Sequence, residues 1–317
     1  AEAVELLSGL AFGQPPYSVE AACLAGDILF LRLYRPFEAE ALYRQALKDA
    51  PSSIEANGRM AILCGVSGQW WQQIPALLST IHGNRFTAMD LLVMALAEKA
   101  LLNPELADAM RHVSPDDPLV LLAAARLAVE DEQHDEAIQL LTRAVALSAD
   151  LVQAHVRLGT EFFHLGAQKR FVEWLRHLPP SADEHPGIWV LRGKWALQRG
   201  HQAVALRCFC EAVHRDPNHP DGLYQAGRIL DSMGRGKAAA QFFERAEQVQ
   251  GFINAVKAAD ADDALVETER AAELAESLGN YWEAWGWASV AVAHRESPEW
   301  SKQMTSRLRP LLAALPL

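Results

Sequence analysis

The residues best able to do chemistry, the cysteines and histidines, do not form a recognisable site. Cys208 and Cys210 lie two positions apart on a predicted helix, where side chains point about 200° apart, so they cannot bind one metal ion together. The eleven histidines are scattered, and a pair such as His155 and His164 lacks the i, i+4 spacing of the helical zinc motif. We predict no metal site, no catalytic residue and no cofactor, and interpret the cysteines as reduced, packed thiols.

Two short segments resemble ligand-binding loops without completing them. Residues 234–237, Gly-Arg-Gly-Lys, lack the full spacing and the Ser or Thr of a phosphate-binding loop, so they predict a turn between helices. The aspartates around Asp260 lack the alternating ligands, central glycine and terminal glutamate of a calcium loop. The sequence also shows no nucleophile elbow. These patterns favour a protein that is not an enzyme.

Composition excludes further classes of function. The 317 residues are half apolar, which exceeds what one compact core usually organises and predicts several domains or a repeat array. The net charge of -11 disfavours nucleic acid as a partner, because such binding needs a basic surface. Apolar runs are far shorter than the roughly 20 residues of a membrane-spanning helix. The chain begins with Ala1, so we expect an excised or processed piece and make no prediction of its compartment.

Glycine and apolar residues recur with a period of 34 residues. Two glycine series share this spacing: Gly159, Gly193, Gly227 and Gly166, Gly200, Gly234. Small and aromatic residues keep the same register: Ala137, Phe171, Ala205, Ala239 and Leu141, Leu175, Phe209, Phe243. Helix formers dominate between the glycines, which is typical of short helices joined by tight turns. Gly200 and Gly234 fall where a helix should end in the left-handed conformation.

The best copy of this pattern contains two aromatic residues, four small residues and a proline: Trp189, Gly193, Gly200, Ala205, Phe209, Ala212 and Pro217. The chain thereby resembles the tetratricopeptide repeat family, strongly from about Pro118 to Gly251. The resemblance implies an all-α fold, an α-α superhelix or solenoid of tandem antiparallel helix pairs. Gly193 and Ala205 would lie where the helices of one pair cross, with Phe209 filling the groove between pairs.

We predict a single solenoid over residues 1–317. Its parts are a partial repeat at 1–16, repeats at 20–52 and 54–84, a degenerate repeat at 86–113, repeats at 118–150, 152–180, 186–218, 220–251 and 265–297, and a capping helix at 298–317. An interruption is expected after Gln250, before the last repeat resumes out of phase. The sequence leaves open whether the degenerate repeat bends the superhelix.

In the family, the first helix of each pair lines a concave face that receives extended peptides or partner helices. Carrying its groove positions over gives a basic column of Arg126, Lys194 and Arg228, with Thr160 in the gap. The adjoining groove positions are Gln153, Val156, Arg157, Phe163, Val190, Tyr224 and Gln225. The resemblance therefore implies a protein or peptide ligand, acidic in character, with aromatic side chains supplying most of the affinity.

Alternatives to this interpretation remain open. The basic residues could instead solvate the face and pair with acids on their own helices, such as Glu130, Glu161 and Asp231. A chaperone-binding role is disfavoured, because Leu122, Gly187 and Leu191 occupy positions where it needs polar residues.

Three functions follow from these observations. The first is a scaffold or adaptor that binds a peptide or helical segment in the groove. The second is a substrate-recruiting or regulatory repeat region of a larger multidomain enzyme. The third is self-association through an exposed apolar end of the solenoid.

Overall fold

The computed structural model describes residues 2–11, 17–96, 104–259, 265–294 and 296–314. Over these residues the protein consists of eighteen α-helices and one 3-10 helix, Pro180–Glu184, without a strand. Successive helices pack as pairs, and the glycines of the two series, from Gly159 to Gly234, repeat every 34 residues along them. The predicted all-α fold of tandem helix pairs, of the tetratricopeptide-like kind, is therefore confirmed.

The chain divides into two compact units, with the boundary between Ala154 and His155. Unit 1 contains α1 (Glu2–Ala11), α2 (Tyr17–Leu31), α3 (Pro36–Asp49), α4 (Ile54–Ser67), α5 (Trp70–His82), α6 (Ala88–Ala95), α7 (Pro104–Val113), α8 (Pro118–Glu130) and α9 (His134–Leu147). Unit 2 contains most of α10 (Val152–His164), then α11 (Gln168–Arg176), α12 (Pro186–Gln198), α13 (Gln202–Arg215), α14 (Pro220–Ser232), α15 (Gly236–Ala259), α16 (Leu265–Ser277), α17 (Tyr281–Ala293) and α18 (Glu299–Leu312). That all the repeats form one continuous solenoid stays a prediction.

Glycine fixes the turn inside a pair, as the sequence predicts. Gly200 and Gly234 have φ angles of 75° and 73°, in the left-handed region that other residues enter only with strain. Gly200 lies between α12 and α13, and Gly234 lies between α14 and α15. The two helices of each pair can therefore reverse direction within two or three residues.

A second set of glycines lets the helices of a pair approach each other. A Cβ atom on Gly193 of α12 would lie 2.8 Å from the Phe209 ring of α13, and one on Gly227 would lie 2.8 Å from the Phe243 ring. Phe209 also belongs to a buried cluster with Ala226 of the following pair. The aromatic residue therefore packs within its own pair and between successive pairs.

Replacing Gly193 with alanine should destabilise unit 2. The new methyl group would overlap the Phe209 ring, and overpacking costs about 1–3 kcal/mol against a gain of about 1 kcal/mol in helix propensity. A matched control is Gly251→Ala in α15, where the nearest atom, on Leu274, is 3.7 Å away. Urea unfolding should show a lower midpoint for the first variant and a slightly higher one for the second. Equal shifts would contradict this account.

In unit 1 the helix α8 is internal. It packs directly on α3 and α4, past the short helices α6 and α7 of the degenerate repeat. At its start the Phe37 amide donates a hydrogen bond of 3.0 Å to the Asp117 carboxylate, 80 positions away. Every residue from Pro118 to Arg126 is buried. The face of α8 that would line an open groove is thus covered.

The interruption of the repeat pattern that is predicted after Gln250 falls within and beyond helix α15. Helix α15 is 24 residues long and ends at Ala259. Its last turns contain the buried residues Phe252, Ala255 and Val256. The aspartates of this predicted interruption, Asp260, Asp262 and Asp263, lie outside the described residues. The chain changes register here by lengthening a helix that packs against α16, because apolar burial continues past the point where a regular repeat would turn.

Candidate ligand-binding face

The cysteines, histidines and acidic residues are the side chains that could bind a metal ion. Across the residues that the structure describes, no group of three or more His, Cys, Asp or Glu side chains could hold a metal ion. Cys23, Cys64 and Cys208 are buried as predicted, whereas Cys210 is exposed, so its interpretation as a packed thiol was wrong. Burial raises the pKa of the Cys23 thiol to about 11, which leaves it protonated at neutral pH.

No helix within the described ranges is both long and apolar enough to cross a membrane.

The clearest open surface among the predicted groove residues is on unit 2. Helices α12 and α14 are the first helices of consecutive pairs. On α14, Asp221, Tyr224, Arg228 and Asp231 are all exposed, and their spacing of three, four and three residues places them on one side of the helix. Tyr224 keeps 51% of its surface exposed, which is high for a large aromatic side chain.

Charges on this surface are partly compensated. The Lys194 ammonium of α12 donates a hydrogen bond of 2.6 Å to the Asp221 carboxylate of α14. Both side chains are part-exposed, so the ion pair contributes only about 0.2–1 kcal/mol and a ligand could compete for it. The Arg228 guanidinium lies 5.9 Å from the centre of the Tyr224 ring. We call Lys194, Asp221, Tyr224 and Arg228 the α12–α14 face.

Arg228 has no carboxylate partner among the described residues. The Tyr224 ring beside it is supported from behind by Phe243, whose ring centre is 6.1 Å away. A supported aromatic ring next to an uncompensated cation can accept an apolar side chain and a carboxylate together. The α12–α14 face therefore combines an exposed aromatic ring with a positive charge.

Other predicted groove residues of unit 2 are less available. The Thr160 hydroxyl is exposed but donates to the Val156 carbonyl at 2.8 Å. Phe163 is half-buried and packs edge to face on Phe171, with ring centres 5.9 Å apart. Val190 is 5% exposed and belongs to the core around Phe209. Val156, Arg157 and Gln225 are half-buried. The structure therefore brings Lys194, Tyr224 and Arg228 together at the surface but places Val190 beneath it.

The remaining two predicted positions, Arg126 and Gln153, lie in unit 1 and are buried. The Arg126 guanidinium is bonded to the Glu130 carboxylate at 3.0 and 3.2 Å, one turn along its own helix. This is the pairing that the alternative interpretation predicts for the basic residues. Arg126 therefore contributes no open positive charge to a groove.

Sequence reasoning missed Asp221. It occupies the position equivalent to Gly187 and Gln153 in the 34-residue register, one of the positions at which polar residues were sought. An acid at that position, next to a lysine of the preceding pair, was the signal that could have revealed the compensated charge.

Sequence reasoning also missed the cluster around Trp189. Two guanidinium groups, of Arg192 and Arg215, lie 4.6 and 4.8 Å from the centre of its ring. The indole donates to the Asp183 carbonyl at 2.8 Å, and the Arg192 guanidinium contacts the Asp183 carboxylate at 2.7 Å. These contacts attach the 3-10 helix to α12 and α13. Because the 3-10 helix has no counterpart in the parts of the other repeats that the structure describes, periodicity could not predict its partners.

The helix pairs, their 34-residue register and the glycine–aromatic packing define a tetratricopeptide-like helical repeat protein. No family model matches the chain, and no curated protein matches it in sequence.

Several solved structures are similar to the chain. A crystal structure of MamA shares 14% identity over 63% of this chain and 97% of that one, with a TM-score of 0.36. The Cut9–Hcn1 hetero-tetramer of the APC/C shares 14% identity over 97% and 58%, with a TM-score of 0.46. YrrB, described as a TPR protein with an unusual peptide-binding site, shares 16% over 66% and 92%, with a TM-score of 0.36. At these values the likeness carries no argument about function.

Proposed function

We propose that the protein is an interaction scaffold or adaptor, and that it binds a peptide or helical segment of another protein on the α12–α14 face. The observation that supports this most is Tyr224, which is half exposed and lies beside Arg228, a residue without a carboxylate partner in the described part of the chain. Aromatic and arginine side chains carry most of the binding energy in protein interfaces. A rigid helical surface presents them without a large ordering cost.

The ligand that fits this face carries a carboxylate next to an apolar side chain. Arg228 would bind the carboxylate, and the Tyr224 ring would contact the apolar group. Lys194 offers a second positive charge only when the ligand competes with Asp221 for it. We therefore propose an acidic ligand, although the chain as a whole is itself acidic.

Partner capture can test this proposal. A Tyr224→Ala, Arg228→Glu double variant should lose its partner when immobilised protein is incubated with a lysate, because it removes the ring and reverses the charge. A matched control is Arg207→Glu, an exposed arginine on α13 without an ion-pair partner among the described residues. Circular dichroism should confirm that both variants fold. Equal retention of the same partner by wild type and double variant would place binding elsewhere.

A second change sharpens the test. Once a bound segment is identified, Asp221→Ala should tighten its binding, because Lys194 then faces the ligand without compensation. Truncation of Tyr224 alone should weaken binding by about 1–3 kcal/mol, which is roughly 5- to 150-fold in Kd. Isothermal titration calorimetry measures both. Weaker binding by Asp221→Ala would contradict an acidic ligand.

A further inference from the structure

The two helices that carry the proposed binding face begin in the same unusual way. His185 is the N-cap residue of α12, and its Nδ1 accepts a hydrogen bond from the Gly187 amide at 3.0 Å. Thirty-four residues later His219 is the N-cap of α14, and its Nδ1 accepts from the Gly222 amide at 3.3 Å. At the equivalent position of α8 the N-cap is Asp117. Histidine has thus replaced the usual oxygen acceptor in two consecutive pairs.

The ability of histidine to accept a capping hydrogen bond depends on its charge state. Aspartate and asparagine N-caps keep their acceptor oxygen at mildly acidic pH. The ring nitrogen accepts a hydrogen bond only when it carries no proton. Protonation turns both ring nitrogens into donors, so the amide of the first turn loses its acceptor. The new positive charge would also lie at the positive end of the helix dipole. Both effects oppose capping.

Burial strengthens this dependence. His185 is 1% exposed, and burial lowers the pKa of its imidazole to about 3, with a smaller effect of the neighbouring His219 in the same direction. Burial also lowers the pKa of His219. Around His219, Asp216 and Asp221 favour the charged form and Lys194 opposes it. The charged groups closest in sequence to His185 are Asp183 and Glu184 of the 3-10 helix.

Two carboxyl groups on neighbouring segments have the opposite effect on stability: acid stabilises their surroundings, whereas it destabilises the histidine caps. Burial and the charge of Asp216 raise the pKa of Glu283 in α17 to about 7. Burial also raises the pKa of Asp216 itself, opposed in part by His219, by the Asn218 amide and by Arg245 of α15. These two acids hold protons more tightly in the folded state, so acidification stabilises their surroundings. The overall unfolding midpoint therefore mixes two opposite contributions, and only a local measurement isolates the histidines.

We propose that His185 and His219 form an acid-sensitive pair of N-caps, and that acidification releases the first turns of α12 and α14 and with them the ligand-binding face. The second half of this statement rests on the proposed function, whereas the first half does not. A histidine whose pKa is lower in the folded state contributes its full stability above the unfolded value of 6.5. That contribution is lost as the pH falls from 6.5 towards about 3.

Hydrogen exchange of backbone amides tests the first half. At about pH 5 the opened state of the turn capped by His185 should be favoured about 30-fold relative to neutral pH, since protons bind the released imidazole. The turn capped by His219 should respond in the same direction. We expect residues 187–191 to lose protection by about this factor and residues 221–225 to lose protection as well, after correction for the intrinsic exchange rate. In a His185→Asn, His219→Asn variant, where the cap retains an acceptor at both pH values, the loss should disappear.

A matched control is His201→Asn. His201 is the N-cap residue of α13, but its side chain makes no capping hydrogen bond. This variant should keep the pH dependence of wild type at α12 and α14. Unchanged protection of wild type at both pH values would overturn the proposal, and so would an equal loss in wild type and in the double asparagine variant.

Partner retention tests the second half separately. If a partner captured at about pH 7.5 is released at about pH 5 by wild type but kept by the double asparagine variant, the capping pair regulates the face. If both proteins keep it at both pH values, that regulation is wrong, while the binding function stands. If the face captures no partner at neutral pH, the proposed function fails, and the exchange data still decide whether the caps are acid-sensitive.

Discussion

Replacing Phe209 with alanine should lower the free energy of unfolding of unit 2 by about 3–5 kcal/mol. The side chain is 0% exposed and lies among Ala205, Ala212 and Ala226. Because these neighbours are short and sit on packed helices, they cannot move into the space that the ring vacates. The variant therefore loses the transfer free energy of the ring and also retains a cavity, which places the cost near the upper end of the range.

Urea unfolding followed by tryptophan fluorescence measures this effect. The matched control is Val204→Ala on the same helix, where the side chain is 55% exposed and the change should stay within about 0.5 kcal/mol. If the two variants shift the unfolding midpoint equally, Phe209 is not the packing centre of its repeat.

Replacing Asp27 with alanine should destabilise unit 1 by about 2–3 kcal/mol. Its carboxylate accepts a hydrogen bond of 2.8 Å from the Tyr43 hydroxyl and bonds of 2.8 and 2.9 Å from the Arg59 guanidinium. These three residues belong to α2, α3 and α4, so the carboxylate connects three helices. Without it the Tyr43 hydroxyl, on a side chain only 1% exposed, loses its acceptor.

A double-mutant cycle separates the contributions. Tyr43→Phe removes one hydrogen bond and should cost about 1 kcal/mol, and Asp27→Ala should cost less in that background than in wild type. Glu55→Ala is the control, because Glu55 also pairs with Arg59 but is 68% exposed, so its loss should cost less than about 1 kcal/mol. Additive effects of Asp27→Ala and Tyr43→Phe would mean that the hydrogen bond is not energetically important.

The features that sequence predicts well are those set within one helix pair. The left-handed conformation of Gly200 and Gly234 is required wherever a helix must end and reverse, so a glycine period is enough to place the turns. The contact between Gly193 and the Phe209 ring follows in the same way, because the two residues lie on adjacent helices at a fixed separation along the chain.

The features that the sequence predicts poorly depend on contacts between different helix pairs. The groove register assigns Arg126 and Val190 to an open face, yet both are buried, one on an internal helix and the other in the core around Phe209. Lys194 was predicted to bind an acidic ligand or, in the alternative interpretation, to pair within its own helix, but its carboxylate partner Asp221 is 27 positions away on α14. Burial and pairing between elements are tertiary properties that a repeat alignment does not contain.

The acid-sensitive N-caps illustrate an intermediate case. The 34-residue spacing of His185 and His219 is visible in the sequence, and each histidine precedes a proline at the start of a helix. What the sequence does not show is burial, which converts an ordinary helix-end histidine into one that must remain uncharged. The signal was present, but its physical consequence required the packing of the surrounding helices.

The internal position of α8 changes how unit 1 should fold. A repeat array normally gains structure by nearest-neighbour addition, so its folding has low contact order and can begin at any repeat. The contacts of α8 with α3 and α4, including the bond between Phe37 and Asp117, close a loop of about 80 residues before their stabilisation is gained. Unit 1 is therefore expected to fold as one cooperative body with a slower nucleation step, in contrast to the pair-by-pair assembly of a regular solenoid.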